Sequence, residues 1–372
     1  QSQNIVVPPG GGQKNEFEIT CDNYEANKHY FIAQYFRDNF DNAMRNAPVI
    51  STPITITKLE VWVVKPGLTD TRSLIGLMDL GESNPYSNSN VVNVGPIPPP
   101  ANNLPDNNAN QLYYNFNDTA QTYYNLRNPL YSGSTAIYNQ LAVDSFTAPR
   151  DYERIENAVK LQPSEYTFNA QLGYVSLKSQ LNPNQVLAVA YEYTYNGVVH
   201  RVGDLTTSGV NPPNRLYVKI LKSSNVSVLL PTWKLMMKNI YALGAYGLQQ
   251  KDFKLDVLYY NDSTGGDINF LPAGASEPNV NSIALLKVLN LDRLNAQLDP
   301  QPDGIFDYVE GLTVNSGDGR IIFPAVEPFG SYLKSKFNPN TTVYQKFIFQ
   351  ELYDSSKTAA QQLPEKNKYK IK

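Results

Sequence analysis

LNPNQVLAVAYEYTYNGVVHRVG, residues 181–203, decides the fold class of this chain. Leu187, Val189, Tyr191, Tyr193 and Tyr195 alternate along it, the period of two that sends every second side chain to the same face of a strand. Asn196-Gly197 then offers two residues that tolerate positive φ, as a two-residue type I′ turn requires. The stretch therefore reads as a β-hairpin with its tip at 196–197.

The same pattern recurs on both sides. YTFNAQLGYVSL (166–177) reads as a second strand pair, and RLYVKILK (215–222) puts Leu216, Val218 and Ile220 on one face. DFKLDVLYY (252–260) does so with Phe253, Leu255, Val257 and Tyr259, and LTVNSGDGRIIF (312–323) is a third hairpin. ITITKLEVWVV (54–64) is a strand whose apolar phase flips near Lys58, which predicts a bulge. Helices are few. Ile32, Phe36, Phe40 and Met44 recur every four residues and predict a helix over 24–46, before Pro48; shorter ones are expected at 283–296 and 355–362. Short strands separated by turn signals predict a mainly β chain, an antiparallel, jelly-roll-like β-sandwich with a few short helices.

The expected partition is a flexible segment at 1–16, a sandwich-type region at 17–230 and a second β-rich region at 231–354. A C-terminal helix and tail follow at 355–372. Within the first region, residues 82–110 form a polar loop too rich in Pro and Asn to pack.

Composition narrows the function classes. Of 372 residues, 17% are charged and 26 are Tyr, a balance that suits strands with one wet face. A net charge of -3 provides no basic stripe for nucleic acid. One cysteine, Cys21, excludes an internal disulfide, and two histidines leave little for metal or triad chemistry. No apolar run is long enough for a membrane-spanning helix, which takes about 18 residues or more. Barrel strands in a membrane need about nine to eleven residues with apolar groups on the lipid side. DFKLDVLYY approaches that; most other strands are too short, so the domain is expected outside the hydrocarbon layer. The chain opens at Gln1 without a signal peptide and is expected to be a fragment or processed segment.

One loop has the spacing of a cation site. Asp299, Gln301, Asp303, Asp307 and Glu310 take steps 1, 3, 5, 9 and 12 of a twelve-residue loop, with Gly304 at step 6. The Ile305 carbonyl would complete a shell suited to calcium. The other reading is an acidic turn stiffened by Pro300 and Pro302, since no helix pair flanks it. Trp62, Trp233 and the Tyr191–Tyr195 face offer either stacking platforms for sugars or core packing. His29 and His200 lack neighbours at ligand spacing and are expected to be structural. There is no GxSxG, HExxH or P-loop, so no enzymatic activity is expected.

Seven stretches, in one order, carry a family resemblance: CDNYEANKHYFIAQYFRDNFDNA (21–43), ITKLEVWVV (56–64), LIGLMDLGE (74–82), YTFNAQLGYVSLKSQLNPNQVLAVAYEYTYNG (166–197), WKLMMKNIYALGA (233–245), LLKVLNLDRLNAQLDPQPDGIFDYVEG (285–311) and GRIIFPAVEPFG (319–330). Together they resemble the SprA/Sov family, outer-membrane translocons of the Bacteroidetes type IX secretion system, over nearly the whole chain. The resemblance implies part of a very long chain that closes a large barrel through which cargo reaches the cell surface, and that supports gliding. It implies a non-catalytic cap or scaffold at the outer membrane, on the extracellular or the periplasmic side, of which the extracellular cap is the preferred expectation. The expected partners are other regions of that chain, other secretion components and secreted cargo. The competing expectation is a carbohydrate-binding β-sandwich module. A scaffold would bury Trp62 and the Tyr191 face; a glycan site would expose aromatics in a groove.

Overall fold

The computed structural model describes residues 5–6, 14–65, 71–78, 80–82, 104–107, 112–117, 126–129, 135–143 and 146–372. Most of the segment 1–16 and of the polar loop 82–110 lies outside these residues. The chain is mainly β and forms two discontinuous units, 1–26 with 40–50 and 238–372, and 27–39 with 51–237. Residues 17–26 and 40–50 of the expected region 17–230 fall in the unit that holds 238–372. The N-terminal strand and the C-terminal tail share one unit: Tyr369–Ile371 pairs with both Val257–Asn261 and Ile19–Thr20.

In the unit 27–39 with 51–237, the strands are β1 (His29–Phe31), β2 (Ile54–Val64), β3 (Arg72–Leu77), β4 (Tyr152–Lys160), β5 (Tyr166–Asn169), β6 (Tyr174–Leu177), β7 (Leu187–Tyr195), β8 (Val198–Val202) and β9 (Leu216–Lys222). Five of them close on themselves in the order β2-β4-β3-β9-β7-β2. Every pairing is antiparallel except β3 with β9. The expected sandwich is therefore replaced, in this unit, by a closed barrel, which leaves no free edge around its wall. Sequence spacing cannot see closure, because it depends on which distant strands find each other.

The hairpin forms as its sequence requires. Asn196 and Gly197 stand at φ 49° and 78°, and Tyr191 through Tyr195 pair with Val202 through Val198. The bulge lies where the apolar phase flips: Glu192 faces Lys58, whereas Tyr193 faces Ile56, and Thr57 is skipped. Strands β5 and β6 pair as expected and are joined by β1 into a three-stranded sheet.

Alternate residues of the barrel strands meet in one cluster that includes Trp62, Leu74, Ile155, Ala190, Val218 and Ile220. At Gly76 a Cβ would lie 2.4 Å from Ile220 and 3.0 Å from Ile155, so only glycine fits that layer. The interior is filled by side chains and is not a channel. The outer faces of β7 and β9 are buried too. Tyr217 packs its ring 5.6 Å from Phe116 of the helix Leu112–Asn117, and Tyr152 lies 6.2 Å from Tyr138 of the helix Thr135–Val143. Leu104 is buried and Pro105 accepts a hydrogen bond from the Tyr193 hydroxyl. Part of the loop expected to stay unpacked therefore packs.

The first helix is shorter than its four-residue spacing predicts, running from Gln34 to Met44. Ile32, Phe36, Phe40 and Met44 are all buried. Residues 29–31 leave the helical pattern because they pair with Tyr174–Ser176, a tertiary gain that overrides local periodicity.

The other unit is built from short strands and loops. Ile240–Ala242, Arg320–Ile322 and Val314–Asn315 form one sheet; Gly266–Ile268, Val257–Asn261, Tyr369–Ile371 and Ile19–Thr20 form another. The hairpin at 312–323 is present, but of DFKLDVLYY only 257–260 belongs to a strand, Val257–Asn261, too short to span a bilayer. The helix expected over 283–296 is one turn, Leu285–Val288, ended by Asn290 at φ 60°. The one expected over 355–362 appears as Lys357–Gln361, capped by the Ser356 hydroxyl. Aromatic rings fill this core: Phe329 stacks on Tyr369 at 4.7 Å, and the Tyr241 hydroxyl donates to the Cys21 carbonyl at 2.9 Å. No helix among the described residues is long and apolar enough to cross a membrane.

Candidate functional site

The acidic loop begins where the Leu285–Val288 turn ends. Asp292, three residues beyond Leu289, turns its carboxylate onto the far side of the loop and accepts the Asp303 and Gly304 amides at 3.0 and 3.1 Å. Asp307 reaches back and accepts the Arg293 amide at 2.7 Å and the Leu294 amide at 3.2 Å. Each carboxylate thus holds the opposite strand of the neck, and the two brackets close the loop. Gly304 at φ 85° makes the turn that delivers its own amide to Asp292.

This arrangement does not gather the six positions expected around calcium. Asp299 shares bonds with Asn295, Asp303 accepts the Ile305 amide at 3.0 Å, and Glu310 accepts the Ser316 amide at 3.1 Å. Gln301 and Ile305 are exposed. Among the described residues no group of three or more His, Cys, Asp or Glu side chains is placed to hold a metal ion. The twelve-residue spacing has another outcome here: Asp303, Asp307 and Glu310 turn to backbone amides, and Asp299 to the Asn295 side chain. Asp292, outside the spacing, is the residue that a ligand-counting reading passes over. Burial, reinforced by the charge of Asp303, raises both Asp292 and Asp307 above the ordinary carboxyl range.

A second cluster was hidden in a strand. Lys219 and Lys222 of β9 read as polar positions on a half-wet strand, yet both are buried. The Lys219 ammonium lies 2.9 Å from Glu82 and donates to the Met78 carbonyl. Glu82 in turn accepts the Gln34 amide at 3.0 Å, at the start of the first helix, where a negative charge is favoured. Burial raises the Glu82 carboxyl above its usual value, although Lys219 pulls the other way. Lys222 donates to the carbonyls of Pro183 and Gln185 at 2.6 and 2.7 Å, and burial lowers it to about 8. The two lysines thus engage a carboxylate and backbone carbonyls of the fold itself. A sequence signal existed: lysine inside a run whose neighbours on both faces are apolar.

The aromatic candidates are inside. Trp62 is 4% exposed, and Tyr191 and Tyr193 are fully buried. Trp233 is buried in the turn Pro231–Leu235. His29 is buried against the Ser176 hydroxyl at 2.7 Å, and His200 stacks on Tyr193 at 4.9 Å. Arg127 lies over the Tyr217 ring at 4.1 Å and pairs with Asp204 at 2.6 Å, closing that outer face.

No family model and no curated protein matches the chain.

Proposed function

We propose that the chain is a non-catalytic scaffold or cap module of an outer-membrane protein translocon of the type IX secretion class, on its extracellular side. The observation that carries this reading is the burial of Trp62, Tyr191 and Tyr193, the residues on which a glycan-binding sheet face would depend. With β7 and β9 buried on both faces, the barrel wall serves as a rigid support, and its packed interior leaves transport to the larger molecule. The resemblance of seven ordered stretches supplies the class. The partners in this reading are neighbouring regions of the same chain, other secretion components and passing cargo.

The test is an in-frame deletion of 17–372 from the full protein, with accumulation of the remaining chain checked by immunoblot. Export of cargo should stop and gliding should fail. Normal export by a stably accumulated deletion protein would remove the proposal.

A further inference from the structure

A groove of about 650 Å³ opens in the unit that contains 238–372, between the turn Ser331–Lys334, the loop 338–342 and the turn Val343–Lys346. Its apolar floor is Phe337, Pro339 and Tyr344, and its rim carries Lys334, Asn340 and Thr342. We propose that this groove binds an acidic saccharide, a short oligomer of carboxylated sugar rings.

Three observations meet here. The first is charge. From Pro328 to Gln350 the chain has no acidic residue and three lysines, of which Lys334 lines the groove while Lys336 and Lys346 stand over the Tyr332 and Phe347 rings. No described carboxylate pairs with Lys334, whose ammonium stands 4.8 Å over the Tyr344 ring. The second is construction. Glu277 is fully buried, and its carboxylate accepts the Asn338 amide at 2.7 Å and the Thr341 hydroxyl. A buried carboxyl left without hydrogen bonds is costly, and here its described partners are two points of the groove wall, so the wall is held in one shape before any ligand arrives. The third is the mixture of surfaces. The Asn340 side-chain amide and the Thr342 hydroxyl have no partner among the described residues, beside an apolar floor. Hydroxyls and amides suit the sugar's diols, the floor suits its C–H faces, and the lysine suits the carboxylate. An inorganic anion would leave most of the volume unused, since ligand pockets of about 300–1,000 Å³ suit organic molecules.

The inference stands apart from the translocon reading, and its test reads binding alone. The folded chain is titrated with tetragalacturonate, followed by calorimetry and amide NMR shifts. Binding is expected, with shifts confined to 331–346. Lys334→Ala and Tyr344→Ala should each weaken it about five- to tenfold, Lys334→Ala without changing the melt, while Lys254→Ala, an exposed lysine outside the groove, should leave it unchanged. Equal binding of neutral maltotetraose would overturn the reading of charge and with it the proposal. So would phosphate alone reproducing the shifts and displacing the oligomer, which would mark an adventitious anion site. No heat and no shift at millimolar tetragalacturonate would also end it.

Discussion

Lys219 and Glu82 place two formal charges in a site where the lysine side chain is 0% and the glutamate 5% exposed. Removing one partner of such a pair strands the other, and the cost in buried pairs is about 3–5 kcal/mol. Lys219→Met leaves Glu82 with the Gln34 amide alone. Glu82→Gln leaves the ammonium with the Met78 carbonyl and an amide in place of a charge. Each single variant should therefore lose about 3 kcal/mol or more, which for a unit of this size lowers the melt by on the order of 10 °C. The double variant Lys219→Met, Glu82→Gln removes both charges together and should lose at least about 2 kcal/mol less than the sum of the singles. Urea unfolding of the four proteins, monitored by tyrosine fluorescence and by circular dichroism, closes the cycle. Additive losses within about 0.5 kcal/mol would refute the argument, because they would mean that the two groups do not depend on each other.

Other expectations follow from single positions. Gly76→Val places methyl groups against Ile220 and Ile155 in the barrel interior and should cost about 1–3 kcal/mol in urea unfolding; an unchanged midpoint would mean that the layer is loosely packed. Lys222 is held near 8 in the fold against 10.5 in the open chain, so the folded state releases its proton first. Relative to Lys222→Met, the natural chain should gain stability as pH rises from about 8 to 10.5, and a loss over that range would contradict the burial of Lys222. Because Asp292, Asp303, Asp307 and Glu310 are bonded to backbone amides, EDTA and added calcium should leave the thermal melt unchanged; a calcium-dependent rise would show that the loop rearranges to collect its ligands.

What the sequence determined by itself was local. The hairpin at 187–202, the bulge opposite Glu192, the pair at 166–177 and the hairpin at 312–323 are each set by neighbours within a few residues. Period-two alternation and Asn-Gly chemistry act at that range, so they were legible. Burial of Ile32, Phe36, Phe40 and Met44 was legible for the same reason, although the helix start was not. Only tertiary structure decided which side each face would take. Tyr191 and Val218 lie on strands with the same alternation, yet the tyrosine faces outward from the barrel and the valine inward. That choice follows from closure of five strands drawn from 54 to 222, with β3 and β9 meeting in parallel across some 140 residues of chain. The acidic loop divides in the same way. Its turn at Gly304 is local, whereas the fate of Asp307 depends on Arg293 and Leu294, whose amides reach its carboxylate once the neck closes. A backbone amide carries no mark in the sequence, so a pattern of carboxylates cannot say whether a cation or the chain itself will satisfy them.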